Sequence, residues 1–209
     1  MADGAHAPSD VRALDDADLV LAADGGAAWL AEAGVSPHWL IGDLDSADPD
    51  LVARLTASGV AVERYPADKD ASDLELSLQA ALRAGADDIV ILGALGGVVD
   101  HLLANVLLLE TGRTAVPGVR LTYGGTTVRL LHGPGRLDLG APVGSRVSLL
   151  PLGTADGVAT RGLRWPLTDE PLAAGSSRGL ANRIDTAPAE VAIRSGQLLV
   201  VTMTEEGQS

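Results

Sequence analysis

The first half of the chain alternates short apolar runs with segments in which apolar residues recur at every third or fourth position. Short apolar runs are typical of strands buried in a sheet, and the wider spacing is typical of amphipathic helices. The pattern predicts strands at 18–23, 39–41, 60–65 and 89–92 and helices at 27–33, 50–58, 73–84 and 100–110. Strands and helices that alternate in this way predict an α/β fold with a parallel sheet.

Local residues mark the ends of several predicted helices. Ser72 and Glu75 match a capping box, so Ser72 is predicted to be the N-cap of the helix that follows it. Gly34 follows helix 27–33, where a glycine readily adopts the conformation that ends a helix. In helix 100–110 the residues expected to face inward are Leu103, Val106 and Leu107.

The second half of the chain, from about residue 118, contains no long amphipathic helix pattern. Its short β-rich runs are separated by glycine, proline and serine turns, which predicts a small antiparallel β-sandwich or barrel. These runs are 119–123, 127–131, 146–150, 158–163, 189–194 and 197–203. The pair Ser195-Gly196 is predicted to form a tight hairpin turn between the last two runs. The change of pattern near residues 118–126 predicts two domains, residues 1–122 and residues 123–209.

Composition narrows the possible partners. The 209 residues are 46% hydrophobic and 21% charged, as in ordinary globular proteins. The formal charge of −13 argues against a nucleic-acid partner, because a phosphate backbone needs a basic face. No apolar run is long enough for a transmembrane helix, and the first residues lack the pattern of a signal peptide. Without cysteine there are no disulfides and no thiolate metal sites, and we expect a cytoplasmic protein without membrane contact.

Acidic residues follow the predicted strands or open the predicted helices. In chain order they are Asp24, Asp43, Asp45, Asp70, Asp73 and Asp100. Because the carboxyl ends of parallel strands meet at one edge of a sheet, we expect these side chains to gather there. Gathered carboxylates repel one another unless a divalent cation lies among them, and Mg²⁺ prefers oxygen ligands. The sequence therefore predicts a metal-dependent enzyme that acts on phosphates.

Two glycine pairs and a lysine add possible phosphate contacts. In the loops containing Gly25-Gly26 and Gly96-Gly97, backbone N–H groups can approach phosphate oxygens because no Cβ atom intervenes. Lys69 offers a point positive charge. Taken singly, each feature has an ordinary explanation: an Asp-Gly-Gly sequence is usually a turn, capping accounts for Ser72, and His101 fits a helix surface. The functional interpretation depends on the acidic sites acting together.

Further motifs follow one another in a fixed order along most of the chain. They are residues 23–27, 34–37, 42–46, 69–75 and 96–101, then Asn105, residues 148–153 and 162–167, and Asn182. In this order they resemble the thiamine pyrophosphokinase (thiamine diphosphokinase) family. Most of the pieces are weak signals alone, whereas the ordered set is specific.

The resemblance implies an N-terminal α/β nucleotide-binding catalytic domain, a C-terminal β-sandwich that binds thiamine, and a homodimer with its thiamine site at the subunit interface. The implied reaction transfers pyrophosphate from ATP to thiamine and gives thiamine diphosphate and AMP. By the same resemblance, Asp43, Asp45 and Asp73 are catalytic residues that bind Mg²⁺. The residues implied to contact the ATP phosphates or the rest of the nucleotide are Asp24, Gly25, Gly26, Lys69, Asp70, Ser72, Gly96, Gly97 and His101.

The remaining site residues concern thiamine. Its hydroxyl would attack the β-phosphorus of ATP, and catalysis of that step rests mainly on positioning and on neutralising charge. Asp100 is implied to be a catalytic and substrate-binding residue that orients this hydroxyl or accepts its proton. Trp165 and Asn182 are implied to bind thiamine, with Trp165 stacking on its rings. A tryptophan in the core of the sandwich is an equally good explanation of Trp165.

Three departures from the family pattern leave other functions open. Val98 stands where the family usually has an arginine, and Ala181 stands where it has a serine. The usual first strand, before Gly4, is missing, as though Met1 lay just past it; either a sheet edge is left open, or the start of the sequence is misassigned. One alternative is a catalytically weak relative that binds nucleotide or thiamine. The other is a Mg²⁺-dependent phosphotransferase that acts on a different substrate.

Overall fold

The computed structural model describes residues 5–112 and 118–205. The chain divides into two compact units, residues 1–123 and residues 124–209. Each unit buries its own hydrophobic cluster. Within the described ranges, no helix has the length and apolar character needed to cross a bilayer. The expectation about a strand before Gly4 lies outside the described residues.

Helices and strands alternate in the first unit, after a 3-10 turn at Pro8–Val11. The elements are α1 (Arg12–Asp15), β1 (Leu21–Ala23), α2 (Gly26–Glu32), β2 (Trp39–Gly42), α3 (Pro49–Ala57), β3 (Ala61–Arg64), α4 (Asp73–Arg83), β4 (Asp88–Leu92), α5 (Val99–Leu107), α6 (Leu109–Gly112) and β5 (Gly118–Tyr123). β1, β2 and β3 form a parallel sheet, and β4 pairs in parallel with β5. The predicted parallel α/β fold is confirmed.

Short-range signals identified the ends of two helices. The Ser72 hydroxyl accepts a hydrogen bond from the Glu75 backbone N–H at 3.2 Å, which confirms Ser72 as the N-cap of α4. A cap of this kind stabilises a helix by about 1 kcal/mol. Gly34 lies just after α2 with a φ of 72°, a left-handed conformation that glycine adopts without strain. Both predictions are confirmed.

The predicted helix 100–110 is divided between α5 and α6. Leu103 and Leu107 are 57% and 54% exposed, so the prediction that they face inward is wrong. Helical spacing shows which residues share a face, but it does not show whether another element covers that face.

The second unit consists of two antiparallel sheets. Its strands are β6 (Thr126–His132), β7 (Gly135–Asp138), β8 (Arg146–Pro151), β9 (Thr154–Arg161), β10 (Glu170–Ala173), β11 (Asn182–Arg183), β12 (Glu190–Ile193) and β13 (Gln197–Met203). One sheet has the order β10-β9-β12-β7, and the other contains β11-β8-β13-β6. Leu149 and Val200 from one sheet share a buried cluster with Val158 and Val191 from the other. This arrangement confirms the predicted β-sandwich.

Two strands have partners that differ from the prediction. β12 and β13 belong to different sheets, so the predicted hairpin at Ser195-Gly196 is wrong and this turn passes the chain from one sheet to the other. A Cβ atom at Gly196 would lie 2.2 Å from the Thr154 carbonyl oxygen, which explains the glycine. The run 119–123, which its pattern grouped with the β-rich half, is β5 and pairs in parallel with β4. An alternating pattern identifies a strand but not its neighbour.

Candidate active site

Acidic side chains of the first unit lie at the carboxyl ends of the parallel strands. Asp24 follows β1, Asp43 and Asp45 follow β2, and Asp73 is the first residue of α4. Asp24 and Leu44 have φ values of 43° and 64°, which are uncommon for residues other than glycine. Such conformations cost on the order of 1–3 kcal/mol each and are concentrated at functional sites.

Three of these carboxylates form a compact cluster, which we call the acidic group. One oxygen from each of Asp24, Asp43 and Asp45 lies within 4.8 Å of the other two. Asp24 Oδ1 is buried and accepts no hydrogen bond from the described part of the chain. Hard oxygen donors this close together, with one of them buried and unpartnered, fit a divalent cation such as Mg²⁺.

Lys69 links Asp73 to the acidic group. Its Nζ lies 2.6 Å from Asp43 Oδ2 and 3.1 Å from Asp73 Oδ1. The hydrogen bond between Lys69 and Asp43 raises the pKa of the lysine and lowers the pKa of the Asp43 carboxyl. Lys69 therefore stays protonated and Asp43 stays ionised at neutral pH. Asp73, which the resemblance implied as a cation ligand, contacts the acidic group through this lysine.

Asp24 has the opposite electrostatic environment. Burial raises the pKa of Asp24, and the carboxylates of Asp73 and Asp43 add to the rise, whereas the nearby Ser46 hydroxyl opposes it. The ionised form of Asp24 is therefore disfavoured in the protein alone. A cation bound beside Asp24 would favour the ionised form and lower the pKa of this carboxyl.

Gly42, the last residue of β2, allows two of the acidic side chains to come close. It has a φ of 148°, and a Cβ atom there would lie 2.8 Å from Asp73 Oδ1 and 3.3 Å from Asp24 Cβ. Any side chain at this position would displace one or both carboxylates. The sequence motif contained Gly42, but only the fold reveals this close approach.

Residues expected to contact the nucleotide lie in the loops around the acidic group and at helix starts. Gly25 precedes α2, and Gly26 is its first residue. Ser72 serves as the cap of α4, and Asp70 is exposed in the preceding loop.

The loop after β4 carries a further set of expected site residues. Gly96 and Gly97 have φ values of 114° and 73°, conformations that favour glycine. Asp100 and His101 are exposed in the first turn of α5, and Asp100 Oδ1 accepts a hydrogen bond from the His101 backbone N–H at 2.9 Å. Asp100 is not a member of the acidic group.

In the second unit the Asn182 side chain holds the backbone of Trp165. Asn182 Nδ2 donates to the Trp165 carbonyl at 2.7 Å, and Asn182 Oδ1 accepts from the Trp165 N–H at 3.1 Å and from the Arg183 N–H at 2.8 Å. Asn182 is buried, whereas Trp165 is 58% exposed with the Arg164 guanidinium 5.5 Å from its ring centroid. The exposure excludes the explanation that Trp165 is a core tryptophan of the sandwich. We call this pair the tryptophan frame.

Two hydroxyl groups contribute to these sites without having been singled out from the sequence. Ser46 donates to Asp45 Oδ1 at 3.1 Å, beside the acidic group. Ser148 is buried and accepts from the Ala181 N–H at 3.1 Å, next to Asn182. Both serines lie inside the motifs, but nothing local distinguishes a serine that bonds a distant loop from one that faces solvent.

An acidic group at the carboxyl edge of a parallel sheet, in a chain that also carries an exposed tryptophan on a β-sandwich, is the arrangement of an α/β phosphate-transfer enzyme. Family comparisons refine this class. The model described as "Thiamin pyrophosphokinase, catalytic domain" matches residues 11–117, and the model "Thiamin pyrophosphokinase, vitamin B1 binding domain" matches residues 136–198. The chain therefore belongs to the thiamine pyrophosphokinase family, whose members transfer pyrophosphate from ATP to thiamine, and the predicted enzyme class is confirmed.

Individual relatives agree with this assignment. A thiamine pyrophosphokinase from Bacillus subtilis (strain 168) is 28% identical over 193 residues, which are 91% of this chain and 90% of the relative. The crystal structure of thiamine pyrophosphokinase from Bacillus subtilis has a TM-score of 0.83 at 27% identity. The match covers 94% of this chain and 92% of that structure's chain. The crystal structure of the thiamine pyrophosphokinase from Geobacillus thermodenitrificans has a TM-score of 0.80 at 26% identity. The match covers 97% of this chain and 95% of that structure's chain.

Proposed function

We propose that the acidic group binds Mg²⁺ and positions the triphosphate of ATP for attack by thiamine. Asp43 and Asp45, with Asp24 as the third carboxylate, would hold the ion. The single observation that carries this proposal is the approach of their oxygens to within 4.8 Å of one another, with Asp24 Oδ1 buried and unpartnered among the described residues. Asp73, as part of the same catalytic set, holds Lys69.

The chain's own residues supply the remaining electrostatics. When bound, Mg²⁺ neutralises charge that develops on the transferring phosphate oxygens. Lys69 is proposed to add a second positive charge beside the ion, because its Nζ already reaches Asp43. Asp100 is proposed to orient the thiamine hydroxyl or accept its proton, which is supported by its exposed carboxylate at the start of α5. The remaining nucleotide contacts are proposed for Gly25, Gly26, Asp70, Ser72, Gly96, Gly97 and His101.

Thiamine is proposed to bind at the tryptophan frame. Stacking of the Trp165 ring on the cationic thiazolium or on the pyrimidine would contribute about 0.5–2 kcal/mol. Both polar atoms of the Asn182 side chain are already bonded to backbone, which supports a positioning role for Asn182, acting through Trp165.

Each of the two predicted domains is proposed to bind one of the two substrates. Residues 1–122 are proposed to bind the nucleotide and carry out catalysis, and residues 123–209 are proposed to bind thiamine. A homodimer with thiamine at the subunit interface and a cytoplasmic location also remain proposals. Sedimentation velocity would test the dimer, and a monomer at the concentrations used for assay would contradict it.

A coupled assay of AMP release tests the function directly. We expect AMP to form from ATP only when both thiamine and Mg²⁺ are present, with equal amounts of thiamine diphosphate. AMP formation without thiamine would indicate a phosphotransferase or hydrolase with another substrate. Saturable thiamine binding without AMP formation would indicate a binding protein.

The environment of Val98 favours a second candidate, a family member with weak turnover. Val98 is 67% exposed at the N-cap of α5 and makes no side-chain capping bond, so the position usually held by an arginine offers no donor. If a charged contact is missing, Val98→Arg will raise kcat by more than tenfold. The matched control is Val99→Arg, because Val99 is 70% exposed and adjacent. Equal rates for both variants and the parent would mean that another residue already supplies the charge.

A further inference from the structure

Three arginines lie side by side on the second unit, next to the tryptophan frame. Arg183 of β11 lies directly opposite Arg146 of β8 in the antiparallel register. On the other side of Arg183, its carbonyl accepts a hydrogen bond from the Arg164 N–H at 2.9 Å. The antiparallel bridge beside this bond joins Leu163 to Ile184, so Arg164 is the residue opposite Arg183. We call Arg146, Arg183 and Arg164 the arginine row.

The side chains of the arginine row share one face of the sandwich. Residues directly opposite each other in antiparallel strands point to the same side, with Cβ atoms about 4.5–5.5 Å apart. All members of the row are exposed. Their neighbours along the chain, Val147, Leu163 and Ile184, belong to the buried cluster of this unit. Because side chains alternate along a strand, the row faces solvent on the outer side of the sandwich.

The positive charge of the row has no counter-charge within the described chain. Like charges directly opposite each other destabilise a sheet, and carboxylates are abundant in a chain with a formal charge of −13. Other arginines of this unit do pair with carboxylates: Arg136 and Arg161 with Glu190, Arg178 with Glu170, and Arg194 with Asp169. Within residues 5–112 and 118–205, no member of the arginine row has an ion pair. Such a row is suited to an anion from outside the chain.

The arginine row adjoins the proposed thiamine site. The Arg164 guanidinium lies 5.5 Å from the centroid of the Trp165 ring, and the Arg183 N–H donates to Asn182 Oδ1 at 2.8 Å. A group attached to a ligand that stacks on Trp165 would therefore lie near the row. Thiamine carries a cationic thiazolium, which arginines repel, whereas its product carries a diphosphate. Guanidinium groups bind phosphate oxygens through paired N–H donors.

We propose that the arginine row binds the diphosphate group of thiamine diphosphate, so that the second unit holds the product more tightly than the substrate. The choice of ligand rests on the proposed thiamine site at the tryptophan frame. ATP carries the same phosphate chemistry, but its proposed site is the acidic group, where phosphate oxygens bind through Mg²⁺. The arginine row attracts phosphate without a metal ion.

Isothermal titration calorimetry of the full chain in EDTA, without ATP in the cell, tests the proposal. Chelation removes the cation that the acidic group needs, so phosphate binding under these conditions does not depend on that group. We expect thiamine diphosphate to bind to the parent chain about tenfold more tightly than thiamine, or more. Equal affinities for the two ligands would overturn the proposal.

ATP and inorganic pyrophosphate are the comparison ligands, because both carry linked phosphates without thiamine. Each is expected to bind more weakly than thiamine diphosphate under the same conditions, since neither gains the contact with Trp165. If ATP bound more tightly than thiamine diphosphate, the assignment of the row to the product would be refuted.

Substitution of the central arginine locates the site. Arg183→Gln is expected to weaken the binding of thiamine diphosphate by about tenfold and to leave the affinity for thiamine unchanged. Arg183→Lys keeps the charge but loses the planar set of donors, so its affinity should be intermediate. The thermal midpoint of Arg183→Gln should not fall, because the change removes one of three neighbouring like charges.

Arg161→Gln is the matched control. It removes the same charge from the same unit, and Glu190 keeps Arg136 as its partner. Equal weakening by the changes at positions 161 and 183 would indicate a general effect of net charge and would refute a site at the row.

These measurements involve no turnover, so they are separate from the test of the proposed function. The expected affinities without thiamine-dependent AMP release would contradict the proposed function and leave the arginine row as a phosphate site. AMP release together with equal affinities for thiamine and thiamine diphosphate would support the proposed function and refute the role of the row.

Discussion

The acidic group of the first unit and the tryptophan frame of the second unit are held together in opposite ways. In the acidic group three carboxylates lie close together with Lys69 as their positive neighbour, and burial raises the pKa of Asp24. In the tryptophan frame both polar atoms of the Asn182 side chain are bonded, and the frame includes no buried charge. The acidic group lowers the stability of the protein without metal, because its ionised carboxylates repel one another, but it can bind a cation. The tryptophan frame holds the backbone of an exposed ring through hydrogen bonds.

This contrast predicts opposite couplings between stability and activity. Neutralising a carboxylate that lacks a partner should stabilise the fold and weaken catalysis. Breaking the tryptophan frame should weaken both, because the bonds that orient the ring also hold the strands. The following variants separate these two kinds of site.

The largest effect is expected for Asp43→Asn. This change removes a proposed cation ligand and the partner of Lys69, and loss of a comparable charge contact in phosphoryl transfer lowers the rate by roughly 10³-fold. The measurement is thiamine-dependent AMP release, together with the shift of the thermal midpoint on adding Mg²⁺, which we expect to disappear. Asp50→Asn is the control, because Asp50 is an exposed carboxylate at the start of α3. A variant at position 43 that kept its rate and its Mg²⁺ shift would remove the acidic group from the mechanism.

A smaller effect is expected for Asn182→Ala. The substitution removes the hydrogen bonds of the partly buried Trp165 N–H and C=O, and each such bond contributes about 0.5–1.5 kcal/mol to the free energy of unfolding. The KM for thiamine should rise about tenfold, the equivalent of 1.4 kcal/mol, while kcat changes little.

Trp165→Ala is the matched comparison for this prediction. Because Trp165 is more than half exposed, its removal should raise the KM for thiamine with little loss of stability. Urea unfolding and steady-state kinetics on both variants check the difference. If the tryptophan variant retained the parental KM, the frame would not be part of the thiamine site.

The smallest effect is a gain in stability for Asp24→Asn. Because the pKa of Asp24 is raised in the folded protein, its contribution to stability is fully present below the unfolded pKa of about 3.9 and is lost as pH rises through the folded pKa. At pH 7 without metal the variant should therefore be more stable than the parent, and the difference should vanish near pH 3.5. Urea unfolding at the two pH values measures this. A variant less stable than the parent at pH 7 would show that burial of Asp24 carries no penalty.

Much of the fold was predictable because the signals for it are short-range. The hydroxyl of Ser72 bonds a backbone group three positions away, and the apolar spacing in α3 and α4 lies within a few turns. The same reasoning failed for Leu103 and Leu107, since a helical stripe does not reveal whether a neighbour covers it. It also failed for the turn at Ser195-Gly196, where two adjacent strands join different sheets.

The candidate site was predictable in outline but not in its contacts. Asp24, Asp43 and Asp45 were expected at one edge because each follows a parallel strand, but sequence spacing does not order them by distance. Their grouping, with Asp73 reached through Lys69, depends on how strands pack against α4.

Local sequence was therefore sufficient for the order of strands and helices, for helix ends such as the Ser72 cap, and for the acidic character of the edge. These features depend on dihedral preferences and on spacing within a few residues. Contacts between distant parts of the chain determined the rest, such as the bonds of Asn182 to a residue 17 positions away and the bond of Lys69 to a residue 26 positions away. Such contacts form only when whole elements pack together, and a pattern read along the chain does not contain that information.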